Sequence, residues 1–94
     1  MTEKQIEQKL IKAVKRSCWI CPKLVSPGMD GMPDRMILLP HGRIAFAEVK
    51  APGKKPRPLQ MLRHRQLSSL GFTVYLLDDP EQIPAIIEEV GDGL

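Results

Sequence analysis

Between Glu3 and Ser17 the apolar positions Ile6, Leu10, Ala13 and Val14 recur at the spacing of one helix face, while Lys4, Lys9, Lys12, Lys15 and Arg16 fill the other. Thr2, with Gln5 three residues later, is a capping-box signature, so a first helix is predicted over about Glu3 to Ser17. The period then changes. Trp19 to Val25 reads as a first strand, roughened by Pro22, which cannot donate to a ladder. Ser26 to Pro33 is rich in turn formers and delivers Asp34 to a second apolar run, Arg35 to Leu39. After Pro40-His41-Gly42 a third run extends from Arg43 to Lys50. Ala51 to Arg57 carries Pro52, Gly53 and Pro56 before Pro58 opens a second helix, predicted to reach about Leu70 with Leu59, Leu62, Leu67 and Leu70 inward and to stop at Gly71. Phe72 to Leu77 is apolar on both faces, as a covered strand would be. Asp79 with Gln82 resembles another capping box, and Ile83, Ile86, Ile87 and Val90 form the stripe of a last helix starting near Ile83. The expected order is α-β-β-β-α-β-α, an α/β domain with a mixed central β-sheet flanked by helices.

The two middle strands carry the informative chemistry. Alternation places Ile44, Phe46, Glu48 and Lys50 on one face and Ala45, Ala47 and Val49 on the other. A three-residue hairpin loop, with Gly42 free to turn left-handed, pairs Leu39 with Arg43 and lands Asp34 opposite Glu48; a two-residue loop would throw Asp34 to the wrong face. Two carboxylates about 5 Å apart repel by roughly 3 kcal/mol at an effective dielectric of about 20. Either one holds a proton, the pair splays, or a hard divalent cation sits between them. Acids and an amine at the margin of a buried sheet are costly unless something binds there, which points to Mg²⁺ or Mn²⁺ and to a metal-dependent nuclease.

At 94 residues the chain makes a single domain, residues 1–94, and with 4% aromatic residues its core must come from Leu, Ile, Val and Met. No apolar span is long enough for a membrane, and Met1 to Gln5 lacks the apolar stretch of a signal peptide, so a cytoplasmic protein is expected. The net charge of +3 is a weak pointer to nucleic acid, but its distribution says more. Lys50, Lys54, Lys55, Arg57, Arg63 and Arg65 follow one another with no acid between, whereas every charged residue from Gln66 onward is acidic. A cationic stretch that begins at the acid–lysine site suits a phosphate backbone.

These residues together resemble a known pattern. A proline-aspartate followed by Glu-x-Lys at the end of the next strand, after a helix bearing a glutamate, is similar to the PD-(D/E)xK nucleases and their restriction-endonuclease-like core. Gly31 to Arg35, Glu48 to Gly53, and Gln60 opening the following helix resemble the VRR-NUC family, in particular its short stand-alone bacteriophage members. The resemblance implies that Asp34, Glu48 and the Val49 main-chain carbonyl hold the metal, and that Lys50 positions the attacking water. Glu7 matches the first-helix glutamate, with Glu3 one turn earlier as the fallback. Gln60 matches a supporting glutamine, acting through Lys50 or the scissile phosphate. Arg35, Lys54, Lys55, Arg57, Arg63 and His64 are the candidate DNA contacts. The family further implies a homodimer without organic cofactor that cleaves branched DNA in the manner of a Holliday junction resolvase, in repair, recombination or replication. Cys18 and Trp19 depart from the small residues that relatives carry in that turn.

The rival from another class is a non-catalytic nucleic-acid-binding subunit that uses the same cationic loop. Cys18 and Cys21 form a Cys-x-x-Cys, but they leave a helix and enter a strand, the reverse of a thioredoxin-like pair, and no second pair completes a zinc site. His41 reads as a turn residue, and His64 as a surface helix histidine or a phosphate contact.

Overall fold

A computed structural model describes residues 1–94. Helix α1 spans Glu3–Arg16, and its start is the capping box read from the sequence: Thr2 N–H donates to Gln5 Oε1 at 2.8 Å and Gln5 N–H to Thr2 Oγ1 at 3.2 Å. Strands β1 (Arg35–Leu38) and β2 (Ile44–Val49) form an antiparallel hairpin, and β3 (Thr73–Leu77) lies parallel to β2 on its other side. Helix α2 (Pro58–Ser69) makes the crossover between the parallel pair, and α3 (Ile83–Val90) closes the chain. Short 3₁₀ turns occupy Pro40–Gly42 and Pro80–Gln82; the Asp79–Gln82 capping box belongs to the second of these.

The three-residue loop sets the hairpin register. Residues His41 and Gly42 take left-handed φ values of 64° and 71°, and Leu39 N–H bonds Arg43 O at 2.9 Å. Arg35 then pairs with Ala47 and Met36 with Phe46, so one further step sets Asp34 against Glu48. On the Ala45, Ala47 and Val49 face, α1 packs closely through Ile6, Leu10 and Val14, and Ile83, Ile86 and Val90 of α3 complete the core with Ile37, Leu39 and Leu77. Alanines on this face admit the helix without clash. The opposite face meets α2, and there Phe46 packs edge-to-face on Phe72, with centroids 5.5 Å apart.

Three expectations are corrected. Trp19 to Val25 is not a regular strand: it runs along β1 through isolated bridges, Ile20 with Leu38 and Lys23 with Arg35. Pro22 explains why, since it accepts a bond from Met36 N–H at 3.0 Å but has no N–H to return. Strand β3 is an edge strand rather than a covered one, and of its residues only Leu77 is buried. In α2, Leu67 is buried, but Leu59, Leu62 and Leu70 are exposed. The inward stripe of this helix is Gln60, His64 and Leu67, sharing only Leu67 with the predicted leucines, because the face it meets presents the Glu48 carboxylate to its first turns.

Candidate active site

The site forms where β2 ends. Parallel β2 delivers Glu48 and Lys50 to its carboxyl end, and antiparallel β1 begins at the same margin, so the residue before it, Asp34, arrives beside them. Asp34 is held by the backbone, its Oδ2 accepting from Val49 N–H at 2.8 Å. One step beyond the Arg35–Ala47 pair Asp34 stands against Glu48, and its carboxyl raises that of Glu48, so the two acids converge on one face of the hairpin as the parity argument requires.

Glu48 is 0% exposed and every neighbour addresses its carboxyl. Gln60 Nε2 donates to Oε2 at 3.2 Å, His64 Nε2 lies 3.1 Å from Oε1, and Lys50 Nζ stands 4.0 Å from Oε2. Burial, then the hydrogen bond to Asp34 and the negative charge of that residue, push the Glu48 carboxyl up to about 8; Lys50 opposes this and the charge of Glu3 adds to it. Burial also lowers the His64 imidazole, against the pull of Asp34. An acid held this far above its ordinary range beside a second acid is a place where positive charge is wanted.

The remaining candidates divide. Gln60 reaches the site through Glu48, not through Lys50, and its Oε1 caps α2 by accepting from Arg57 N–H at 2.8 Å. His64 joins the site rather than lying on the surface; the signal available for this is its position one helical turn after Gln60. Glu7 is not brought to the carboxylate pair. It receives Arg35 Nε at 2.8 Å, and Arg35, paired with Ala47, points to the α1 face of the sheet, opposite to Glu48. The α1 carboxylate whose charge reaches Glu48 is Glu3, the fallback, placed at the helix start. Arg35 is further tied to Cys21 O at 3.1 Å, and Arg63 to Asp30 O at 2.8 Å, so both of these candidate DNA contacts make internal bonds. Lys54, Lys55 and Arg57 line an exposed loop or its rim. Cys18 and Cys21 are unpaired thiols, and burial pushes the Cys21 thiol up to about 11, far from a reactive thiolate.

No group of three or more His, Cys, Asp and Glu side chains is already disposed around a metal position. The donor set nevertheless fits a hard cation: adjoining Asp34 and Glu48 carboxylates, one of them destabilised as an anion, supply the oxygens that Mg²⁺ or Mn²⁺ takes.

Comparison with known proteins agrees with this geometry. No family model matches the chain. It is 46% identical over 79 residues to "Putative nuclease p44" of Acyrthosiphon pisum secondary endosymbiont phage 1, covering 84% of this chain and 85% of that protein. A solved structure described as a VRR_NUC domain superposes with a TM-score of 0.85 at 27% identity, over 94% of this chain and 97% of that one. The fold and site define a nuclease-like α/β domain of the PD-(D/E)xK type. Within that class, the chain belongs to the VRR-NUC family.

Proposed function

We propose that this protein is a divalent-metal-dependent endonuclease that hydrolyses DNA phosphodiester bonds. The observation that carries the reading is the convergence of Asp34 and Glu48 beside Lys50, with Glu48 fully buried and its carboxyl pushed up to about 8. Asp34, Glu48 and the Val49 carbonyl are the residues that would hold Mg²⁺ or Mn²⁺, with Glu3 the α1 carboxylate whose charge bears on Glu48. When bound, such an ion polarises a phosphate oxygen and lowers the pKa of water. Lys50 aligns the attacking water and steadies the negative charge that grows on the phosphate oxygens. Gln60 and His64 hold the Glu48 carboxylate in place, and the loop bearing Lys54, Lys55 and Arg57 binds the DNA backbone.

A homodimer acting on branched DNA fits the surface. Ile44 at the start of β2, Phe72 just before β3 and Leu76 in β3 are each more than a third exposed, and Leu70 at the end of α2 is 74% exposed. A two-fold assembly through these residues would set two sites at a fixed separation, the geometry that a four-way junction demands. Cleavage of four-way junction, flap, nicked and plain duplex DNA in Mg²⁺ or Mn²⁺, by wild type and Asp34→Asn, tests the whole reading. Metal-dependent cutting lost in Asp34→Asn is the expected result. Salt-sensitive DNA binding without cleavage, indifferent to metal and to Asp34→Asn, would assign the chain to a non-catalytic DNA-binding role instead.

A further inference from the structure

The polar side of α1 does not simply face water. It forms one wall of a groove of about 1140 Å³, whose other wall is the Pro80–Gln82 turn and the first turns of α3. Lys4, Lys9, Lys12 and Arg16 line it, and the only acid among the lining residues is Glu81. None of these four cations has an ion-pair partner; the chain's salt bridges are those of Arg35 with Glu7 and of Lys50 and His64 with Glu48. The uncompensated charge is notable because α3 and its flanks are otherwise acidic. Glu88, Glu89 and Asp92 all lie outside the groove, and Glu89 is occupied by the Tyr75 hydroxyl at 2.7 Å. The electrostatics of the groove are thus those of α1, not of the acidic segment that walls it.

Shape narrows the ligand. From Lys4 to Arg16 the helix advances about 18 Å, a length over which one strand of a duplex presents about five phosphates. A small anion would need a tight cradle, whereas this groove is long and open and matches a linear polyanion. Its position narrows the ligand further. Lys50 N–H donates to Leu77 O at 2.9 Å where β3 ends, and Pro80 of the groove wall follows three residues later. The groove therefore starts at the margin of the candidate active site and leads away from it.

We propose that the α1–α3 groove is a second track for the DNA phosphate backbone, separate from the Lys54–Arg57 loop, which carries the strand leaving the cleavage site. This rests on the reading of the chain as a DNA nuclease and adds to it a surface that contains none of the catalytic carboxylates. The test is the salt dependence of binding to a labelled 30-bp duplex by wild type, by K9A/K12A/R16A, and by K15A/K23A, which removes charge outside the groove. All five side chains are exposed, so thermal melting checks that each variant folds. Loss of three phosphate contacts lowers the slope of log affinity against log salt by about 2.7 and weakens binding on the order of tenfold or more, with the slope of K15A/K23A unchanged. A slope for the groove variant equal to that of wild type, or an equal drop in K15A/K23A, overturns the proposal while metal-dependent cleavage by wild type leaves the nuclease reading intact. Poly-glutamate captured by wild type but not by K9A/K12A/R16A, with the DNA slope unmoved, overturns it in favour of an acidic protein. Wild type that neither binds nor cuts DNA overturns both readings together.

Discussion

His64 Nε2 lies 3.1 Å from Glu48 Oε1, and Gln60, one helical turn earlier, addresses the other oxygen of the same carboxylate at 3.2 Å. Two side chains of one helix thus grip a single buried acid that belongs to the sheet. Removing one grip leaves a buried oxygen without its partner, at a cost of about 1–3 kcal/mol. His64→Ala is expected to lower the melting temperature by at least several degrees. It should also reduce cleavage by roughly 10–100-fold, as loss of a group orienting a metal ligand does. His64→Gln, which can still donate to Glu48, should recover part of both. Melting curves and single-turnover cleavage measure the pair of effects.

The carboxyl of Glu48 titrates near 8 in the fold and in the ordinary acid range when unfolded. Between those values the folded state holds a proton that the unfolded state has released, so the stability contributed by this group is fully present at low pH and is lost as pH rises toward about 8. Relative to Glu48→Gln, metal-free wild type should therefore lose stability steadily from about pH 5 to pH 8 in urea unfolding. Divalent metal should offset the loss in wild type and do nothing for the variant. A constant difference between the two proteins over this range would contradict the assignment.

Lys50 stands at the rim of the site, 17% exposed in its side chain, its ammonium 4.0 Å from Glu48 Oε2. Lys50→Ala is expected to cut the cleavage rate by 10²-fold or more while DNA affinity changes little, since one phosphate contact among many is lost. Gel-shift titration beside single-turnover cleavage separates the two quantities. Normal cleavage by Lys50→Ala in Mg²⁺ would remove the proposed role.

Gly31 holds a φ of 85° in the loop before Asp34, and a Cβ built there would stand 2.9 Å from Leu59 Cγ and 3.0 Å from Leu59 O. Gly31→Ala thus combines a left-handed backbone with a collision against the first turn of α2, and should destabilise by about 1–3 kcal/mol. Because that turn also carries Gln60, activity should fall beyond what the lost stability explains. Gly28, whose φ of 83° is similar but whose Cβ would meet nothing, supplies the comparison: Gly28→Ala should show the backbone cost alone.

Much of the carboxylate pair is legible in the sequence because it depends on local rules. Alternation from Ile44 to Lys50 and the loop Pro40-His41-Gly42 suffice to place Asp34 against Glu48, and the structure has that register. Thr2 with Gln5 marks the start of α1 for the same reason. What is not legible depends on partners distant along the chain. Arg35 claims Glu7 across 28 positions, and no local spacing announces it. The leucines of α2 mislead because the inward stripe of that helix is built from Gln60 and His64, polar residues whose partner, Glu48, is known only once the sheet is formed. The segment from Trp19 to Val25 is extended as its composition suggests, but Pro22 withholds the donor that would make it a strand.

Gln60 has two ends in use. Its carbonyl accepts from the backbone of Arg57, the last residue of the cationic loop before α2, while its amide grips Glu48. A single rigid amide plane thus joins the element that would meet the nucleic acid to the acid that would meet the metal. Two hydrogen bonds, of 2.8 and 3.2 Å, are all that separate the backbone of the loop from the buried acid, so a shift of Arg57 has a direct route to the aim of the carboxylate.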